Sequence, residues 1–149
     1  MLTARENVEL PLLLAKVPPK EAKKRAEEVL DLVGLKEWAN HKPAELSGGQ
    51  RQRVTIARAL ANNPAIVFAD EPTGDLDSKT GKEIMDLMVE LNQCEGTTFL
   101  IVTHDENIGA NAPRRISMKD GMVVADERNP EYSYECPPAH TDERFKADA

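Results

Sequence analysis

Two short apolar runs constrain this chain more than any other feature: Ala65-Ile66-Val67-Phe68-Ala69 and the stretch from Thr98 to Thr103. Neither alternates with polar residues, as a half-wet strand would. A continuous run instead marks a strand covered on both faces, as in a parallel sheet. Between them Ile84, Leu87, Met88 and Leu91 recur at helical spacing, predicting a helix that Asp77 caps and that runs to about Asn92. Strand, helix, strand is a βαβ crossover, so the fold class is α/β with a parallel sheet at its core.

The rest of the 149 residues arranges itself around that unit. Ala22, Ala26, Val29, Leu30 and Val33 form one stripe of a helix entered at Pro19 and stopped at Gly34. Thr3 to Lys16 also reads as helical, broken or entered at Pro11, which makes residues 1–45 a helical region. Ser47 and Gln50 form a capping box that opens another helix to about Asn62, ended by Pro64. Arg115 to Met118 and Met122 to Ala125 flank Asp120-Gly121, a hairpin turn signal. Residues 1–128 therefore form one domain, and 129–149, rich in Pro, Glu and Asp without periodicity, read as a flexible tail.

A net charge of −7 argues against a general nucleic-acid binder, which would carry a basic face. Cys94 and Cys136 lie far apart without a metal-ligand spacing, and both read as free thiols of a reducing compartment. The apolar patch from Val8 to Ala15 contains Glu9 and Pro11 and is too short to span a bilayer, so a cytoplasmic location follows.

Three places can carry chemistry. Gly48 and Gly49 follow Ser47 at a helix start, where bare amides and the positive end of the helix dipole favour an anion. The bland alternative is a capped helix after a loop. Asp70-Glu71 ends the first strand at the carboxyl edge of the sheet, the side on which open α/β sheets bind ligands. One carboxylate can hold Mg²⁺ through water while the other orients or deprotonates an attacking water. Alone, this pair also reads as an acidic strand end before the turn at Pro72-Thr73-Gly74. His104 ends the second strand, where an imidazole can hydrogen-bond a terminal phosphate. Gly81-Lys82 lies within a helix and is not a phosphate loop.

Taken in order, these segments closely resemble the ABC-type ATPase family. Leu46-Ser47-Gly48-Gly49-Gln50 resembles its signature motif, and Ile66 to Pro72 its Walker B segment. Gly74-Asp75-Leu76-Asp77 resembles the D-loop and His104 the switch histidine. Glu6 to Pro11 and Asp70 to Ser78 further resemble the lipoprotein- and macrolide-export subgroup of ABC transporter ATP-binding subunits. The resemblance implies a P-loop NTPase fold and a head-to-tail dimer holding two ATPs. It also implies that Ser47, Gly48, Gly49 and Gln50 contact the partner's nucleotide and that Asp77 communicates across the dimer. Asp70 would support Mg²⁺, Glu71 would act as base and His104 would contact the γ-phosphate. A transmembrane permease subunit would be the second partner, holding the ATPase at the inner face of the membrane with the helical region near it.

The sequence holds no Gly-x-x-x-x-Gly-Lys-Ser/Thr loop. In the family that Walker A loop, the adenine-stacking aromatic and the Q-loop glutamine belong upstream of Met1. The resemblance therefore implies a partial ABC ATPase, expected to be inactive alone. The alternative is a non-catalytic regulatory or dimerisation module that lends its signature motif to a complete partner ATPase. The missing neighbour of the second strand implies an exposed, aggregation-prone sheet edge.

Overall fold

The computed structural model describes residues 1–110 and 112–133; Cys136 and most of the segment expected to form a tail lie outside the described residues. The first half is helical. Helix α1 spans Ala4–Leu14, α2 Pro19–Leu32 and α3 Gly48–Leu60, with single 3₁₀ turns at Lys36–Trp38 and Pro43–Glu45. Pro11 does not break α1, although a proline removes one helical hydrogen bond. It sits in the last turns, and its carbonyl accepts from Ala15 N–H at 3.1 Å and Asn62 Nδ2 at 3.4 Å. Pro19 occupies the first position of α2, and Gly34 takes the left-handed conformation after its end (φ 74°).

These helices bury one apolar stripe each against the other two. Val8, Val29, Leu30, Val33 and Leu35 are at most 2% exposed. Each such side chain contributes about 1.5–3 kcal/mol through burial. Ala22 and Ala26 face inward along α2 without exposure, so small side chains line its inner stripe. Arginines close the helix ends: Arg53 Nη1 donates to Val33 O (2.9 Å) and Arg51 Nη1 to Leu46 O (2.7 Å).

The second half begins with the crossover. Strand β1 (Ile66–Asp70) pairs in parallel with β2 (Thr98–Val102), in register Ile66 with Thr98 through Asp70 with Val102. Helix α4 (Ser78–Glu95) joins them and packs against α3 and β2; it runs three residues past the expected end at Asn92 and stops at Gly96. A short α5 (Glu106–Ala110), not anticipated from sequence, follows β2. The hairpin of β3 (Arg114–Lys119) and β4 (Met122–Arg128) turns at Asp120-Gly121, both at positive φ as a type I′ turn requires. Arg115 and Glu127 face each other across it in an ion pair, and Arg114 grips Asp126 with two hydrogen bonds.

Two further expectations need correction. The apolar runs are covered on one face only. Val67, Ala69, Phe99 and Ile101 pack toward the core, whereas Ile66, Phe68, Leu100 and Val102 are 42–72% exposed. The cause is layering: among the described residues this sheet has two strands, with its inner side chains packed on the helical core. In addition, Cys94 stands in a disulfide rather than as a free thiol.

An uncovered apolar face drives self-association. Replacing Phe68, 72% exposed, with Lys is expected to shift this chain toward smaller species in size-exclusion chromatography. Unfolding of the helical region should change by no more than about 0.5 kcal/mol. A wild-type chain that already elutes as a clean monomer would contradict the first expectation.

Candidate functional site

The carboxyl ends of β1 and β2 converge on one carboxylate. Glu71 follows β1 at φ 45°, a conformation that costs a non-glycine residue about 1–3 kcal/mol unless its surroundings hold it there. They do. Its N–H donates to Val102 O at 2.8 Å and its carbonyl accepts from Gly74 N–H at 3.1 Å. Its Oε1 accepts from the His104 backbone N–H at 2.9 Å and lies 2.6 Å from His104 Nδ1, while Oε2 accepts from Thr103 Oγ1 at 3.1 Å. A carboxylate only accepts, so Nδ1 carries the proton and Nε2 faces away. The His104 side chain is 89% exposed and the Glu71 side chain 36%, so this site opens to solvent.

The electrostatics follow from that contact. The His104 hydrogen bond, aided by the His104 amide and the Thr103 hydroxyl, holds the Glu71 carboxyl below its ordinary value. The same bond to Glu71, with its negative charge, raises His104. Asp70 ends β1 with an exposed side chain one residue before Glu71.

A second cluster forms where α3 meets α4. Ser47 caps α3 through its side chain, accepting from Gln50 N–H at 3.2 Å, and Gln50 Oε1 accepts from Ser47 N–H at 2.9 Å. Asp77 caps α4: Oδ1 accepts from the Lys79 and Thr80 amides at 3.1 Å, and Oδ2 from Thr80 Oγ1 at 2.6 Å. The Thr80 hydroxyl leads the causes that depress the Asp77 carboxyl. Both caps agree with the sequence. The glycines have a reason that sequence did not give. A Cβ on Gly49 would stand 2.5 Å from Thr80 Cγ2, and one on Gly48 would stand 3.2 Å from Leu76 Cδ2. The bare backbone of the Ser47 segment therefore lets two helix starts touch.

The candidate residues thus fall into two groups, Ser47 to Gln50 with Asp77, and Asp70 and Glu71 with His104. The turn from Pro72 to Leu76 connects them, and among the described residues no hydrogen bond or ion pair passes directly from one group to the other. Thr103 and Thr80 were missed. Thr103 reads as the last residue of a β-branched strand and Thr80 as an ordinary helix residue; only the fold shows what their hydroxyls reach. Among the described residues no group of three or more His, Cys, Asp or Glu is arranged to hold a metal ion. One exposed carboxylate, Asp70, beside an ionised Glu71 still suits Mg²⁺, which takes one or two carboxylate contacts and keeps its waters.

Two measurements probe these clusters. Gly49→Ala should destabilise the chain by about 1–3 kcal/mol through overpacking, and adding Thr80→Ser, which deletes Cγ2 but keeps the hydroxyl, should recover most of it; denaturant midpoints read both. Glu71 contributes stability fully present above its ordinary pKa of 4.5 and lost as pH falls through its depressed folded value. His104 contributes stability fully present below 6.5 and lost as pH rises through its raised folded value. The pair is therefore strongest between pH 4.5 and 6.5. In an NMR titration His104 should have a midpoint above 6.5, falling back toward that value in Glu71→Gln; an unshifted wild-type midpoint would refute the contact.

Comparison with known proteins fits this geometry. Residues 1–74 match the family model described as ABC transporter. The chain is similar to the bacterial ABC transporter cassette MJ0796 in its dimeric structure, with 52% identity and a TM-score of 0.70 over 86% of this chain and 57% of that one. The same cassette in a dimeric post-hydrolysis state bound to ADP and Pi matches at 51% identity, TM-score 0.70, over the same shares of 86% and 57%. CbiO1 from Clostridium perfringens, part of the ABC transporter complex CbiONQ, matches at 32% identity and a TM-score of 0.78, over 85% of this chain and 51% of that one. The chain thus spans just over half the length of the structures it matches. The match over residues 1–74 and the likeness to these cassettes show that this chain has the ABC ATPase fold.

Proposed function

We propose that this chain supplies the hydrolysis half of an ATP site in an ABC transporter of the lipoprotein- or macrolide-export type. The observation that carries the reading is the Glu71 carboxylate, held ionised at the carboxyl edge of the sheet with the His104 imidazole on one oxygen. In this role Glu71 accepts the proton of the attacking water. With Nδ1 on Glu71, the exposed His104 ring turns Nε2 outward, and protonation, which its raised pKa favours, makes Nε2–H a donor to a terminal phosphate. Moving the imidazole onto that phosphate would release Oε1 and restore basicity to Glu71. Asp70 would hold Mg²⁺, which when bound neutralises charge building on the phosphates.

Ser47, Gly48, Gly49 and Gln50 would face a nucleotide held by a second ATPase subunit, at the positive end of the α3 dipole. The dimeric state of the MJ0796 structures supports such a pairing. Asp77, locked as the cap of α4 beside Gly49, would carry changes between the two groups. A transmembrane permease is the natural second partner, as CbiO1 is part of a transporter complex. Attachment to the cytoplasmic face of the membrane would run through that partner; among the described residues no helix is long and apolar enough to cross a membrane.

Phosphate binding in this fold relies on the backbone and lysine of a Gly-x-x-x-x-Gly-Lys-Ser/Thr loop, a motif that the sequence of these 149 residues does not contain. A polypeptide of these residues alone should bind Mg-ATP weakly and hydrolyse it little; tight, stoichiometric binding by calorimetry would overturn that. In the native ATPase assembly purified from its own cells, Glu71→Gln should lower turnover by about 10²-fold or more. Unchanged turnover would remove Glu71 from the chemistry.

A further inference from the structure

The segment after β2 touches Glu71 through a side chain that the reading above leaves unused. Thr103 Oγ1 donates to Glu71 Oε2 at 3.1 Å and accepts from the Asp105 backbone N–H at 3.0 Å. A hydroxyl has one proton to give and lone pairs to receive, so one atom serves both bonds. Asp105 in turn accepts from Asn107 N–H through Oδ1 at 2.8 Å, which starts α5. The hydroxyl therefore stands between the Glu71 carboxylate and the turn that launches the next helix.

From this geometry we infer that Thr103 is a positioning residue for Glu71. It rests on the reading of Glu71 as the base for water. Oε1 is shared between the amide and the ring of His104, and the ring is exposed and free to leave. When the ring leaves, the carboxylate keeps two anchors among the described residues, the His104 amide on Oε1 and Thr103 Oγ1 on Oε2. Two anchors on two different oxygens fix the carboxylate plane, whereas the amide alone would let it swing. Thr103 thus sets where the freed lone pair of Oε1 points while the imidazole is away. Because the Asp105 amide fixes the hydroxyl rotor, movement of the 104–106 turn shifts that aim.

The test is steady-state ATP hydrolysis by the native assembly carrying Thr103→Val, Thr103→Ser or Glu71→Gln. Valine keeps the shape and removes the hydroxyl; serine keeps the hydroxyl. The expected result is a fall in kcat of about tenfold in Thr103→Val, the loss of one charge-assisted hydrogen bond, with KM for ATP changed by less than twofold. Thr103→Ser should recover at least half of the wild-type kcat. In this chain, amide exchange at His104 should quicken in Thr103→Val while buried amides of α3 stay protected, which separates loss of aim from loss of folding. Wild-type kcat in Thr103→Val, or an equal fall in both Thr103 variants, overturns the inference while Glu71 stays the base. Wild-type turnover in Glu71→Gln overturns the reading beneath it, and the inference with it.

Discussion

One carboxylate ties two strand ends of this molecule together. Glu71 leaves β1 in a left-handed conformation that a glutamate avoids, and it is kept there by bonds to β2 and to its own turn. Parallel pairing of Asp70 with Val102 places Thr103 and His104 opposite Glu71, so the register of the sheet decides which hydroxyl and which imidazole reach it. A one-residue slip would turn every side chain of β2 to the other face. Strand register, backbone strain and the ionisation of both partners are therefore a single arrangement.

The helical half reaches that arrangement through contact rather than through charge. Gly49 lets α3 approach Thr80 so closely that no side chain fits between, and the Thr80 hydroxyl binds the Asp77 cap. The turn that begins at Glu71 ends at Asp77. The contact of α3 with the start of α4 therefore lies only a few residues of turn from the strained glutamate. Close-packed interfaces of this kind move as units because they tolerate little deformation.

Much of this was legible in the residues themselves. The Ser47–Gln50 capping box, Pro19 at a helix start, the Asp77 cap and the Asp120-Gly121 turn all stand where the sequence puts them, because each is a local matter of hydrogen bonds and backbone preference. The apolar runs were read as strands correctly, yet their cover was not. Continuous apolarity reports the surroundings a strand was selected for, while the face exposed at Phe68 reflects which layers are present. Pro11 within α1 and the disulfide at Cys94 also departed from expectation.

The candidate residues Asp70, Glu71 and His104 could be picked out by type and by position at strand ends. Their grouping could not. That His104 meets Glu71 by Nδ1, that Thr103 shares the same carboxylate and that Gly49 makes room for Thr80 all depend on distances between segments far apart in the chain. The sequence by itself determined most of the elements, the caps at Ser47 and Asp77 and the candidate residues at the strand ends, because propensity and patterning act over a few residues. Only the tertiary structure decided which of those groups share a proton, because hydrogen bonds form across space and fail within an ångström.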